Sequence, residues 1–472
     1  MTTLPGLVLL AALTADFSVE SGRLRPELHS SGFGPQICSC PQEDIDDIKA
    51  MGFRASRTHD WSLINPNQRV CDYFHIFPLM HLDATDPKNY VFGPTDYLMK
   101  RTRDELGHDI FFRLGTSIEH SGKVHFNALI PEDFDKTAEI FAATVRHYNR
   151  GWANGYRWGI RYWEIWNEPD GHGKMWCLPE GDGSGKEALE KSDRKRLDLF
   201  VRFFVTCVKR IKAEFPEVKV GGPALCALRR DYFKALLEGC RAAGIAPDFI
   251  SWHDYGDSPK FVLDEIKAGR ELCDSLGFPD CELILNEWHF FNHGLYSWAD
   301  LRSPDPEVQK RVWSSPGSHN GIESSCYNLT LLSKFQRSGL GQGYYYGCRN
   351  SGSWGFKDAL NAKYKVFYGL RLFGGILRDY TRLCASTDHK TVSLLAVASE
   401  DGRRRALLVT DYRGTRRELK IAVKGIPSGS KVSAVVHDHT RDCAPADFAF
   451  ENGQLILKKA DSYSAAFLVT FE

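Results

Sequence analysis

The sequence predicts an α/β fold in which a (β/α)8 TIM barrel is followed by a smaller antiparallel β-sandwich domain. Eight units of an apolar strand and an amphipathic helix follow one another between residues 31 and 377. Polar side chains recur at the carboxyl ends of these strands, and the pattern changes to short strands after residue 377. Alternating strands and helices indicate a parallel sheet, and eight such units indicate closure into a barrel.

The N-terminal segment, residues 1–30, is interpreted as a first strand that packs on the β domain. Residues 4–15 are apolar, but no Lys or Arg precedes them and no small-x-small cleavage site follows. A signal peptide over residues 1–15 is the alternative, and the absence of its usual features favours a cytoplasmic location. No apolar run has the length of a membrane span.

The barrel is predicted over residues 31–377. Helical spacing is clearest in 134–148, where apolar residues recur every three or four positions. The eight predicted strands are short and mostly apolar, as expected of parallel strands covered on both faces. They cover 33–38, 53–59, 110–114, 162–167, 218–223, 249–255, 283–287 and 343–347.

The C-terminal domain is predicted over residues 378–472. Short alternating strands at 406–409, 431–436 and 465–469 are accompanied by turn sequences such as Asp401-Gly402 and Asn452-Gly453. Two-residue turns of this kind are typical of antiparallel hairpins. The sequence therefore predicts a small β-sandwich.

Composition excludes several classes of protein. The chain of 472 residues carries 60 basic and 60 acidic residues, so no net charge attracts it to nucleic acid or to a membrane surface. Thirteen cysteines, several of them inside predicted helices and strands, indicate reduced thiols rather than a disulfide framework. Zinc-type cysteine pairs and a phosphate-binding glycine loop are absent. We therefore expect neither a metal nor an organic cofactor.

Two glutamates end buried strands in matching settings. Glu168 follows Asn167 and precedes a proline, which cannot donate to a sheet ladder and therefore ends the strand. Glu287 follows Asn286 and precedes Trp288 at the end of the seventh strand. A glycosidase needs one carboxyl group that holds a proton and one that stays charged. The pair predicts such an enzyme.

The two glutamates also have simpler interpretations. A single strand-end Glu is more often a solvated or capping carboxylate, but here both lie on the fourth and seventh strands. A carbohydrate-binding barrel without catalysis is the alternative from another functional class. The presence of Glu168, Glu287 and Asn167 counts against it, because a binding protein needs no proton donor opposite a nucleophile.

The two glutamate motifs resemble the signatures of clan A glycoside hydrolases, in which the acid/base ends strand four and the nucleophile ends strand seven. Arg57-Thr58-His59, residues 220–223 and Tyr344-Tyr345-Tyr346 resemble family 39, which contains β-xylosidases and α-L-iduronidases. The C-terminal β domain also suits that family. The resemblance implies a retaining mechanism with Glu168 as acid/base, Glu287 as nucleophile and Tyr255 bonded to Glu287.

The remaining site residues are expected to contact a carbohydrate substrate. Asn167 would donate to the sugar 2-hydroxyl, a contact that strengthens in the transition state. A rim ion pair with Asp60 is the alternative for Arg57 and His59, and ordinary burial or loop packing is the alternative for the others. The full predicted set is Asn167, His59, Arg57, His253, Tyr255, Trp288, Tyr346 and Trp354.

The sequence thus predicts an enzyme that releases a xylose-like sugar from glycosides or plant polysaccharide fragments. An iduronidase-, arabinosidase- or galactosidase-like specificity and endo action remain open, because loops set those choices. The oligomeric state is also open.

Overall fold

The computed structural model describes residues 13–32, 34, 40–61, 69–117, 128–171, 175–351, 354–358 and 360–472. The first strand, β1 (Thr14–Arg23), contains the end of the predicted N-terminal strand. Residues 1–12, which hold the rest of that prediction, lie outside the described residues. Within the described part of the chain, no helix combines the length and apolar character needed to cross a membrane.

Eight parallel strands form a closed barrel, so the predicted barrel is confirmed. The barrel closes where its first strand pairs in parallel with its last. Most of the predicted strand at 33–38 lies outside the described residues, and the first barrel strand is a shorter one just before it. The eight strands are β2 (Ser30–Gly32), β3 (Ala55–Arg57), β4 (Asp109–Leu114), β5 (Tyr162–Ile165), β6 (Lys219–Leu225), β7 (Phe249–Gly256), β8 (Glu282–Phe290) and β9 (Gln342–Tyr346).

Helices surround the barrel and bury their apolar faces against the strands. The fourth of them begins where the Asp133 side chain accepts from the backbone N–H of Lys136, and ends at Gly151 in the left-handed conformation. The helices are α1 (Gln42–Met51), α2 (Tyr73–Ile76), α3 (Gly93–Leu106), α4 (Phe134–Arg150), α5 (Lys186–Glu214), α6 (Arg230–Ala242), α7 (Pro259–Ser275), α8 (Pro306–Ser314), α9 (Ile322–Phe335) and α10 (Lys365–Asp379).

The C-terminal strands form a ten-stranded, mostly antiparallel sheet that includes β1. β1 lies between two of these strands, antiparallel to one and parallel to the other. No disulfide joins any of the twelve cysteines that the structure describes. The strands after the barrel are the short pair β10 (Arg349–Ser351) and β11 (Gly355–Lys357), then β12 (Arg382–Thr387), β13 (Val392–Ala398), β14 (Arg405–Asp411), β15 (Glu418–Lys424), β16 (Val432–His437), β17 (Ala444–Pro445), β18 (Asp447–Glu451), β19 (Gln454–Lys458) and β20 (Ala465–Phe471).

This sheet has an apolar core of its own, in which Leu394, Ile421, Leu455 and Phe467 are fully buried. The predicted antiparallel β domain is therefore confirmed. We keep the division into residues 1–30, 31–377 and 378–472 as a proposal. The separate core and the position of β1 within the second sheet support it.

Inside the barrel, alternate residues of each strand point to the axis. Near the amino ends of the strands these residues form what we call the apolar plug, which consists of Ala55, Phe111, Phe249, Ile284 and Tyr344. A second layer lies two residues closer to the carboxyl ends of β3, β5, β7, β8 and β9, and its inward side chains are mostly polar. They are Arg57, Glu164, Ser251, Asn286 and Tyr346.

Candidate active site

Glu287 is buried on β8 with both carboxylate oxygens occupied. Arg57 donates from a terminal guanidinium nitrogen to Oε1 at 2.7 Å, and the Tyr255 hydroxyl donates to Oε2 at 2.7 Å. Burial raises the pKa of the Glu287 carboxyl, while the charge of Arg57 and the hydrogen bond from Tyr255 act in the opposite direction. The carboxylate is therefore held in place and its charged form is stabilised by donors.

Two consecutive side chains of β8 reach the barrel interior. The register between β8 and β9 shifts between Leu285 and Trp288. At such an irregularity the strict alternation of inward and outward side chains is broken. Asn286 consequently donates to Glu164 inside the barrel, and the next residue, Glu287, also faces inward toward Arg57.

Glu168 follows β5 in an unusual backbone conformation. Trp166 and Glu168 both have positive φ angles, 74° and 47°, which non-glycine residues rarely adopt. The indole of Trp166 turns outward and donates to the carbonyl of Met175 at 2.7 Å. Trp166 is thus a buried core residue, and the turn it makes brings Asn167 and Glu168 back toward the barrel axis.

The two glutamates meet at His253 on β7. Nδ1 of His253 lies 2.9 Å from Oε1 of Glu168 and 3.4 Å from Oε2 of Glu287. One oxygen of each carboxylate and one nitrogen of His253 all lie within 4.8 Å of one another. Retaining glycosidases place their two carboxyl groups about 5 Å apart, whereas inverting enzymes separate them by more than about 6.5 Å. Two carboxylate oxygens within 4.8 Å of each other are compatible with the retaining arrangement.

The same three residues have the composition of a metal site. Their contacts argue against that interpretation, because both oxygens of Glu287 already accept hydrogen bonds from Arg57 and Tyr255. A guanidinium 2.7 Å from one of those oxygens would also repel a second cation. Burial lowers the pKa of His253, so this histidine is neutral near pH 7 and carries one ring proton. The arrangement suits proton transfer.

Asn167 has a free donor. Its Oδ1 accepts from the guanidinium of Arg57 at 2.7 Å, which fixes the orientation of the amide. Its buried Nδ2 has no hydrogen-bond partner among the described residues. A buried donor without a partner costs free energy, and a substrate hydroxyl would satisfy it.

A deeper charge network was missed by the sequence analysis. Glu164, fully buried in the middle of β5, accepts from Nε of Arg57 at 2.6 Å. Its other oxygen accepts from Ser251 and Asn286, each at 2.7 Å. A carboxylate inside an apolar strand requires partners, because an isolated buried charge is very unfavourable. That signal was present in the sequence at Tyr162-Trp163-Glu164-Ile165.

His59 lies beside the nucleophile. Its Nε2 is 3.5 Å from Oε1 of Glu287 and 3.6 Å from Oδ1 of Asp60. Burial holds the pKa of His59 well below its usual value, so the ring is neutral. The guanidinium of Arg57 contacts Glu164 and Glu287, so the alternative of a rim pair with Asp60 does not describe its main contacts.

Aromatic residues line one side of the cluster. Ring centroids of Tyr255, Tyr346 and Trp354 lie 5.2 to 5.9 Å apart, so the structure brings these three predicted residues together. Trp298, which the sequence analysis did not select, lies 5.3 Å from Tyr255 and is 49% exposed.

Trp288 does not join the cluster. It is 1% exposed and packs against Phe335 of α9, with ring centroids 5.6 Å apart, and against Tyr345. The side chain that follows the inward Glu287 points out of the barrel, toward the helices. The structure therefore removes Trp288 from the predicted sugar-binding set.

Comparisons with known proteins agree with this fold and with the predicted resemblance. No family model matches the chain. A β-xylosidase of Geobacillus stearothermophilus is 25% identical over 186 residues, which cover 34% of this chain and 32% of that protein. The match thus spans about a third of the curated relative.

Two solved structures have the same fold over almost their whole length. A glucosidase from Croceicoccus marinus gives a TM-score of 0.72 at 17% identity, covering 98% of this chain and 99% of that one. A monomeric β-xylosidase from Caulobacter crescentus gives 0.64 at 16% identity, covering 98% and 99%. At 16–17% identity these structures show a shared fold and do not single out family 39.

Proposed function

We propose that this protein is a retaining glycoside hydrolase that releases a xylose-like sugar from glycosides or plant polysaccharide fragments. The observation that carries the proposal is the pair Glu168 and Glu287, whose nearest oxygens lie within 4.8 Å at the carboxyl rim of the barrel. The partial likeness to a β-xylosidase supports the choice of sugar.

The proposed reaction has two steps. In the first, Glu287 attacks the anomeric carbon while Glu168 gives its proton to the departing glycosidic oxygen, so the bond to the aglycone breaks as the glycosyl–enzyme bond forms. In the second, Glu168 takes a proton from water, whose oxygen attacks the same carbon and releases Glu287. Two inversions give net retention.

Neighbouring residues have separate parts in this scheme. Arg57 and Tyr255 stabilise the charged form of Glu287, and Asn167 supplies its free amide to a sugar hydroxyl. The neutral His253 lies against both carboxylates and limits the space between them. His59, Tyr346 and Trp354 are proposed to contact the bound sugar. A cytoplasmic location is also proposed, on the reduced-thiol pattern of the sequence.

The first experiment is a panel of nitrophenyl glycosides, followed by NMR of the first anomer that any active substrate releases. Hydrolysis of a β-xyloside with retained configuration is the expected result. Retention on another sugar would preserve the mechanism and change the specificity. An inverted product would overturn the role of Glu287.

The second experiment replaces the nucleophile. Glu287→Ala should lower kcat roughly 10⁴-fold or more, because no covalent intermediate forms, and azide should restore part of the rate with inverted product. Glu282→Gln is the matched control. Glu282 lies on the same strand but at the amino end, where it pairs with Lys219. A similar loss in both variants would contradict the assignment.

A further inference from the structure

We propose that Trp298 forms a stacking platform for a second sugar ring, so that the natural substrate is an oligosaccharide of at least two sugar units rather than a simple glycoside. The inference rests on the proposed function and specifies its substrate class. Trp298 is the only tryptophan among the exposed large apolar side chains of the described residues.

The platform lies close to the nucleophile. The ring of Trp298 is 5.3 Å from that of Tyr255, whose hydroxyl donates to Glu287 at 2.7 Å. Trp354 stands 6.0 Å away with its plane inclined by 37°, and forms a neighbouring wall. Trp298 thus belongs to the aromatic group that borders the nucleophile, so a ligand resting on it would lie beside that group.

The loop that carries Trp298 is anchored on both sides. Tyr296 and Leu301 are 3% and 7% exposed and belong to one apolar cluster with Phe291. The backbone N–H of Ser297 donates to Oδ2 of Asp300 at 2.9 Å. A platform held in this way needs little ordering when a ligand arrives, which favours binding.

Stacking on one side leaves part of the indole for a ligand. Phe291 lies against Trp298 with ring centroids 4.3 Å apart and an angle of 27° between the planes, yet 49% of Trp298 is exposed. The exposed part of the indole is apolar surface in contact with water, and covering it would be favourable. A sugar ring matches this surface, because its C–H face is apolar while its hydroxyl edge stays in water.

The experiment compares methyl β-xyloside, xylobiose and xylotriose as substrates of Trp298→Ala. We expect KM to rise about tenfold for a substrate whose second ring reaches the platform, equivalent to ~1.4 kcal/mol, with kcat unchanged. KM for methyl β-xyloside should stay at the wild-type value. Trp298→Phe should recover most of the affinity. The control is Tyr97→Ala, which removes an exposed aromatic ring from α3.

The outcomes separate the two proposals. A rise for both xylobiose and xylotriose would place the platform at the first ring of the leaving group. A rise for xylotriose alone would place it at the third ring of the substrate, whether that ring is further into the leaving group or beyond the reacting sugar. No change for either, or an equal loss on methyl β-xyloside, would overturn the platform and leave the glycosidase intact. If the wild-type enzyme cleaves another sugar, the series is made from that sugar. A wild-type protein inactive on every series would overturn both proposals.

Discussion

The two ends of the barrel use the same strands for opposite chemistry. At the amino end the apolar plug fills the interior with side chains such as Phe111, Phe249 and Tyr344, each at most 1% exposed. Two residues further along, Arg57 and Glu164 are equally buried but charged. The environment changes from apolar to ionic within about 7 Å of strand.

This difference separates stability from function along the strand direction. Burying apolar rings stabilises the fold through the area removed from water. Burying charges has a desolvation cost that the attraction between them need not recover. We therefore expect changes in the plug to lower only the free energy of unfolding. Breaking a pair in the charged network should lower turnover and also destabilise the fold, because it leaves a buried charge without its partner.

Replacing Arg57 should have the largest effect. Arg57→Met removes the donor to Glu164, Asn167 and Glu287 at once and leaves the buried Glu164 without its counter-charge. We expect kcat/KM to fall roughly 10³-fold or more and the free energy of unfolding to fall by about 3–5 kcal/mol. Steady-state kinetics and urea unfolding measure the two effects.

Arg54→Met is the matched control for that substitution. Arg54 pairs with Asp109 at 2.7 Å, but both side chains are more than half exposed. An exposed pair of this kind contributes at most about 1 kcal/mol. If the Arg54 variant lost as much activity or stability as the Arg57 variant, burial of the charged network would not explain its importance.

A change in the plug should reduce stability without reducing activity. Phe249→Ala leaves a cavity among Phe111, Tyr162 and Tyr344, and should lower the free energy of unfolding by about 3–5 kcal/mol. The folded enzyme should keep its kcat within about twofold, because the ring of Phe249 packs against the other rings of the plug. Kinetics at low temperature, with the folded fraction checked by circular dichroism, measure kcat. A loss of kcat much larger than twofold would contradict the distinction between the two ends of the barrel.

Removing one hydroxyl tests how the charged form of Glu287 is maintained. The hydrogen bond from Tyr255 favours ionised Glu287, so Tyr255→Phe should raise the pKa of that carboxyl further. Because the nucleophile must be ionised, activity should then disappear at a higher pH on acidification. We also expect kcat to fall roughly 10- to 100-fold, as for a lost hydrogen bond to a charge. The pH profile of kcat/KM measures the shift.

Tyr344→Phe provides the comparison at the other end of the barrel. The hydroxyl of Tyr344 donates to Gln342 within the amino-end layer. Its loss should leave the acid limb of the pH profile unmoved. A shift of that limb in both variants would show that the two layers are electrostatically coupled.

Buried histidines should give the smallest effect. Burial lowers the pKa of His29 to about 4 and that of His108 to about 3. In the unfolded chain these groups titrate near pH 6.5, so between about pH 6.5 and pH 4 only the unfolded state gains protons. Stability should therefore fall on acidification, by about 2 kcal/mol per histidine between pH 7.5 and pH 5.

Urea unfolding midpoints at pH 7.5 and pH 5 measure the slope of stability against pH. His108→Gln should reduce it, while His75→Gln, at an exposed position, should leave it unchanged. The raised pKa of Glu287 has the opposite sign, since its contribution to stability decreases as the pH rises through the folded-state value. If His108→Gln left the slope unchanged, the loss of stability at low pH could not be assigned to a buried, neutral His108.

The barrel and its two glutamates were predictable because both depend on local sequence. Strand periodicity is visible over a few residues, and Pro169 marks the point where the strand that delivers Glu168 must end. Tyr255 was available only through resemblance. Its contact with Glu287 joins residues on neighbouring strands and is observed at 2.7 Å.

Contacts that depend on closure of the barrel were not predictable in the same way. Arg57 reaches Glu164 across a sequence separation of 107 residues, and only the assembled ring of strands makes them neighbours. Trp288 was misplaced because the register shift before it allows two successive side chains, Asn286 and Glu287, to face inward. Trp298 depends on the conformation of a loop, which periodicity does not describe.

The position of β1 has a consequence for how the molecule is made. Thr14 pairs with Thr387 of β12 and, in parallel, with Ala422 of β15. During synthesis the first strand leaves the ribosome roughly 370 residues before its earliest partner, and such distant pairings form slowly. The barrel residues can therefore emerge and begin to fold while this strand waits unpaired. Completion of the second sheet then joins β1 to strands that are made after the whole barrel.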